Sequence, residues 1–178
     1  DLEGSGREAR IFLAAPISRA RIEQELARWV VSGDEIEWSQ GDGRVVARRV
    51  RRLGAVILEE TPLGDADPDR VLAAMIEGVR TLGLRVLPWR KETEAWRARV
   101  RFARERLSGD SARWPDLSDE TLLRSLSDWL GPFLHGVVRE ESLGSIDLRG
   151  ALGSLLPRDR ARQLDDWAPT HWTAPSGS

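Results

Sequence analysis

Along this chain of 178 residues the texture changes near Pro62, and that change constrains the fold more than any single motif. Up to Leu58 the apolar residues mostly fall in short runs or alternate with polar ones, as strands require, with one helical stretch among them; from Val71 they recur three and four positions apart, as on one helix face. Between them lies Thr61-Pro62-Leu63-Gly64-Asp65-Ala66-Asp67-Pro68, rich in residues that interrupt both periods. The expected fold is α+β. A small β module with one helix covers residues 1–62, an α-helical region covers 63–178, and the two can still pack as one body.

Within the first part, Ala9–Ala15 is a short apolar run closed by Pro16, the length of a buried strand. Ser18 is a good N-cap for a helix whose apolar face is Ile22, Leu26, Trp29 and Val30, ended by Gly33. Glu35-Ile36-Glu37-Trp38 alternates, Gly41-Asp42-Gly43 signals a turn and Arg44–Val50 is again extended, which predicts a hairpin. Gly54 precedes one more strand, Ala55–Leu58. In the second part, Asp67 caps a helix with Pro68 at its first position, Val71, Leu72, Met75, Ile76, Val79 and Leu82 as its stripe, and Gly83 as its end. A helix over 92–107 buries Trp96, Val100, Ala103 and Leu107. Ser118 caps a third, with Leu122, Leu126, Trp129 and Phe133 on one face and Pro132 kinking or ending it. Leu148–Leu156 and Pro157–Trp167 are two shorter helical patterns.

Composition removes most chemistry. Lys and Arg total 27 with Lys91 the one lysine, so 26 are Arg; there are two His and no Cys. Thiolate chemistry and disulfides are therefore excluded. No phosphate-gripping G-x-x-x-x-G-K-[ST], G-x-G-x-x-G after a strand, H-E-x-x-H or G-x-S-x-G occurs. The acidic pairs Asp34-Glu35, Glu59-Glu60, Asp119-Glu120, Glu140-Glu141 and Asp165-Asp166 sit at helix starts, turns or exposed ends, where they cap or solvate. His135 and His171 have no companion at metal-ligand spacing. No catalytic residue, metal site or cofactor is expected, and this stretch is not expected to act as an enzyme alone. No apolar run approaches the roughly 20 residues of a membrane span, so no membrane partner is expected and a cytoplasmic location is the default. The chain opens at Asp1 without Met, and apolar patterning reaches both ends; it reads as a piece of something longer.

The arginines carry the remaining functional signal. Arg44, Arg48, Arg49, Arg51 and Arg52 fall within nine residues on a predicted strand, with Arg44, Arg48 and Arg52 on one face and Arg49 and Arg51 on the other. Planar guanidinium donors beside Trp38 suit the phosphates of a single strand. A charged edge strand, or ion pairs to Glu35, Glu37 and Glu59, would produce the same pattern. On the helix over 92–107, Arg97, Arg101 and Arg104 line one stripe that can track a phosphate backbone or pair with Glu94 and Glu105. The candidate nucleic-acid-binding residues are thus Arg44, Arg48, Arg49, Arg52, Arg97, Arg101 and Arg104. Of the eight Trp, Trp29, Trp96 and Trp129 sit in helical stripes as core residues, whereas Trp38, Trp89, Trp114 and Trp172 fall near turns, where indole covers a surface or stacks on a base.

Several strings occur in an order that resembles the C-terminal region of HrpB-type ATP-dependent helicases. They are Arg10–Ile17, Glu35–Trp38 followed by Gly43–Arg49, Leu53–Leu58, Leu87-Pro88-Trp89, Trp114–Glu120, Asp128–Phe133, and Ala168–His171 with Pro175–Ser178. Their colinear order carries the resemblance. These helicases are similar to the DEAH-box group, in which two motor domains precede a winged helix, a helical bundle and an OB-like β module. The resemblance implies that residues 1–62 are most of an OB-like module and that 63–178 begin a family-specific helical region. It implies a parent that uses ATP and Mg to remodel RNA, with single-stranded RNA and the parent's own motor domains as partners. The motor residues have no counterpart here. Guiding or clamping single-stranded RNA near the motor is the expected role; packing on the motor or on a partner protein is the alternative. Trp172 and Ala174 depart from the family's pattern.

Overall fold

The computed structural model describes residues 2–3, 10–11, 15–106 and 114–169. The expected strand Ala9–Ala15 is covered at Arg10, Ile11 and Ala15 only, and Leu107, His171, Trp172 and Ala174 lie outside the described residues. The chain forms two compact units, residues 1–35 with 48–63, and residues 36–47 with 64–178.

In the first unit β1 (Leu2–Glu3) pairs antiparallel with β2 (Arg10–Ile11), and α1 spans Arg19–Glu25. Strands β3 (Val30–Ser39), β4 (Arg44–Leu53) and β5 (Val56–Pro62) make an antiparallel sheet in the order β3-β4-β5, with β3 and β4 each contributing to both units. The predicted hairpin is present. Its turn is held by Ser39, whose hydroxyl donates to the Asp42 carboxylate (2.9 Å), and it closes on Gly43 at φ 59°, a left-handed value that favours glycine. Between β4 and β5 the register is Arg51↔Glu59 and then Arg52↔Ile57, so Leu58 is an extra residue and forms a bulge.

One expectation fails here. The helix does not run to Val30: α1 stops at Glu25, Ala27–Trp29 is a single 3-10 turn, and Val30 opens β3. Trp29 is 58% exposed rather than buried. Val30 and Val31 are β-branched and favour the extended chain, and pairing of a ten-residue strand outweighs one more helical turn. Gly33, read as the stop, lies inside β3.

The second unit holds the core. α2 (Pro68–Leu82) starts as expected, with the Asp67 carboxylate accepting the Asp69 N–H at 2.9 Å, and ends at Gly83. α3 (Lys91–Arg106) buries Thr93, Trp96, Val100 and Ala103. Ser118 caps α4 (Asp119–Arg124), accepting the Thr121 N–H. The helix breaks at Ser125, before Pro132, because the Ser125 hydroxyl bonds back to the Thr121 carbonyl (2.8 Å); α5 (Leu126–Trp129) and a 3-10 turn through Pro132 follow. α6 (Leu148–Gly153) and α7 (Arg158–Trp167) complete the body. Met75, Val79, Trp96, Trp114, Leu122 and Trp129 are among the residues of one buried cluster, and Trp38 and Val45 from the hairpin tip pack against it. The Val45 N–H donates to Val138 (2.8 Å) and the Glu140 N–H to Gly43 (2.9 Å), which ties the tip to the chain after α5.

Candidate nucleic-acid interface

Strand β4 carries its arginines on alternate faces, as the pattern predicted, and carboxylates meet them on both. On the face that buries Val50, Arg48 and Arg52 both reach Glu35, and Arg48 also reaches Glu60 at 3.2 Å. Arg48 and Glu35 are half-buried, with side chains 24% and 27% exposed. On the other face Arg49 holds Asp34 in a two-bond fork (2.7 and 3.1 Å), and Arg51 meets its register partner Glu59 at 3.0 Å. The Asp34 carboxylate, through that hydrogen bond first and its charge second, raises the Arg49 guanidinium above its ordinary value. Arg44 differs: it is exposed, and its side chain has no ion pair among the described residues.

The α3 row divides similarly. Arg97 donates twice to the Leu117 carbonyl (2.8 and 2.5 Å), reaches Asp119 at 2.5 Å and lies over the Trp89 ring at 5.0 Å. Arg104 donates to the Trp114 carbonyl at 2.6 Å. Both therefore fasten the segment Trp114–Asp119 to α3, a use that the same-helix partners Glu94 and Glu105 did not suggest. Arg101 is exposed with no side-chain partner among the described residues. Among the described residues, two of the seven candidates, Arg44 and Arg101, thus have no internal partner.

The aromatic residues are mostly structural. Trp96, Trp114 and Trp129 are buried, and the Trp129 N–H bonds the Leu122 carbonyl (3.0 Å). The Trp89 N–H bonds the Leu84 carbonyl (2.7 Å). Trp38 lies on Gly78 of α2, and its N–H is buried without a partner in the structure. Two cations escaped sequence reasoning. Arg149 sits over the Trp96 ring at 3.8 Å, and Arg160, only 3% exposed, lies 5.8 Å from the Trp114 ring. Neither pair is near in sequence, and no local pattern marks it. Among the described residues no group of three His, Asp or Glu could hold a metal ion, and no helix is long and apolar enough to cross a membrane.

Residues 29–63 match a family described as "ATP-dependent RNA helicase HrpB, connector region", and residues 129–178 one described as "ATP-dependent helicase C-terminal". The chain is 35% identical over 178 residues to the ATP-dependent RNA helicase HrpB of Escherichia coli (strain K12), covering 99% of this chain and 22% of that protein. A crystal structure of E. coli DExH-box NTPase HrpB matches with TM-score 0.61 and 35% identity over 99% of this chain and 22% of that one. A second, of E. coli DEAH/RHA helicase HrpB, matches with TM-score 0.60 and 35% identity over 84% and 19%. A three-stranded antiparallel sheet with a helical body after it is thus the arrangement of the C-terminal part of a DEAH/RHA-type helicase. Over residues 29–63 and 129–178 the chain carries the matches to the HrpB connector region and to the helicase C-terminal region, in that order. It spans about a fifth of the length of the relatives it matches.

Proposed function

We propose that this chain is a non-catalytic accessory region of an HrpB-type ATP-dependent RNA helicase whose arginines chiefly build its own fold, so that it acts as an ordered body packing against the parent's motor domains. One observation carries this: four of the five β4 arginines end on carboxylates of the same sheet. A guanidinium already held by a half-buried carboxylate must break that pair before it meets a phosphate, which offsets much of the gain. ATP, Mg and the motor residues belong to the rest of the parent, and the three-stranded sheet serves as the remaining part of an OB-like module. A cytoplasmic location goes with this reading.

A second reading, a guide or clamp for single-stranded RNA, is favoured by Arg44 and Arg101 alone among the seven candidates. The full-length parent separates the two. Under the structural reading, Arg48→Gln with Arg52→Gln lowers the unfolding midpoint, and Arg44→Gln with Arg101→Gln leaves the RNA concentration for half-maximal ATPase stimulation unchanged. A rise in that concentration with an unchanged midpoint supports the clamp and refutes the structural reading.

A further inference from the structure

A cavity of about 290 Å³ opens beside the start of α3, with Arg90, Thr93, Ser145, Asp147 and Arg149 in its wall. Its polar groups are unevenly satisfied. Arg90 is exposed, and its side chain has no hydrogen bond or ion pair among the described residues. Arg149 has none either; its guanidinium lies over Trp96, 3.8 Å from the ring centroid. Thr93 is only 3% exposed and its hydroxyl has no partner among the described residues. The one carboxylate, Asp147, is engaged as the cap of α6, accepting the Gly150 N–H at 2.8 Å. The Ser145 hydroxyl donates to the Ser142 carbonyl at 2.8 Å.

Two cations against one occupied carboxylate leave the cavity positive. We propose that Arg90 and Arg149, with the Thr93 hydroxyl, form a binding site for a phosphate group. The planar guanidinium edge fits phosphate oxygens in two-bond geometry, and the indole beneath Arg149 fixes its plane before the ligand arrives. Burial, and then repulsion from Arg99, hold the Arg149 guanidinium below its ordinary value against the pull of Asp147 and Asp165, so an arriving anion meets a charge that those carboxylates only partly offset. This proposal does not depend on β4 touching RNA.

The phosphate comes from a strand or from a free small molecule, and the test distinguishes them. The side-chain N–H resonances of Arg90 and Arg149 are followed by NMR while the full chain is titrated with inorganic phosphate, with adenosine monophosphate and with a short single-stranded RNA. Both resonances are expected to shift together with at least one of the three, and Arg90→Gln to weaken that binding about tenfold. Response to the strand alone identifies a phosphodiester; response to phosphate or the mononucleotide as well identifies a free phosphate site. Arg149→Gln removes a contact with Trp96 and can disturb folding, so Arg90→Gln, on the exposed rim, is the decisive variant. No shift with any of the three, or affinity unchanged in Arg90→Gln, overturns the proposal.

Discussion

The Trp38 indole of β3 lies so close to Gly78 of α2 that a β-carbon there would stand 2.5 Å from Cδ2 of the ring. Gly78 is buried in mid-helix, where glycine costs about 1 kcal/mol relative to alanine, so close approach is what it supplies. Gly78→Ala is therefore expected to destabilise by about 2 kcal/mol, the overpacking loss outweighing the gain in helix propensity. Chemical denaturation reads it directly. Adding Trp38→Leu should recover part of the loss, and a Gly78→Ala variant more stable than the parent would remove the packing argument.

Glu35 serves two arginines, and its loss should be felt by both. Glu35→Gln leaves Arg48 and Arg52 facing a neutral amide in a half-buried setting. A destabilisation of about 1 kcal/mol is expected, between the values for exposed and for fully buried pairs. Asp34→Asn, whose partner Arg49 is 60% exposed, should cost less. Urea unfolding of the two variants side by side gives the order, and the reverse order contradicts the assignment.

Asp116 sets a pH dependence. Its carboxylate accepts the Ser118 backbone N–H at 2.9 Å, and this bond first, with the Ser118 and Thr121 side chains and Arg104 after it, holds its pKa below the usual carboxylate value. A group depressed in the folded state binds more protons when unfolded, so stability rises with pH across that window. The contribution is complete above about pH 5 and is lost as pH falls through the lowered folded value. Asp116→Asn should flatten the acid limb of the stability profile below about pH 4. An unchanged limb means that the carboxylate is not held.

Arg97 forks onto the Leu117 carbonyl and also reaches Asp119, a geometry lysine cannot copy. Arg97→Lys is expected to loosen the start of α4 and to speed amide exchange at Thr121 and Leu122 roughly tenfold, the loss of one charge-assisted hydrogen bond. Unchanged exchange there would show that Arg97 does not fasten the segment.

Local signals in the sequence were legible where the physics is local. Asp67 before Pro68, Gly83 after Leu82, Ser118 before α4 and the Gly41–Gly43 turn all name their own positions. Trp29 and Val30 were misplaced because a helical spacing of apolar residues and the start of a strand coincide there, and pairing with β4 decides between them. Alternation along β4 told which arginines share a face, and Glu35 and Glu59 were named as partners; Asp34 and Glu60 required the register. Arg97 and Arg104 bond to carbonyls of Leu117 and Trp114, groups that every residue carries and no side-chain pattern reveals. Arg149 over Trp96 joins two elements distant in the chain, so that candidate site was invisible before the fold.

The account turns on whether the β4 arginines are spent inside the sheet. Single-stranded RNA binding by the chain, titrated at several salt concentrations for the parent and for Arg48→Gln with Arg52→Gln, with unfolding measured in parallel, tests it most directly. The account predicts a lower unfolding midpoint and an unchanged dependence of log affinity on log salt. A midpoint that stays put while the slope flattens by about 1.4, roughly 0.7 for each lost phosphate contact on a single strand, would contradict it.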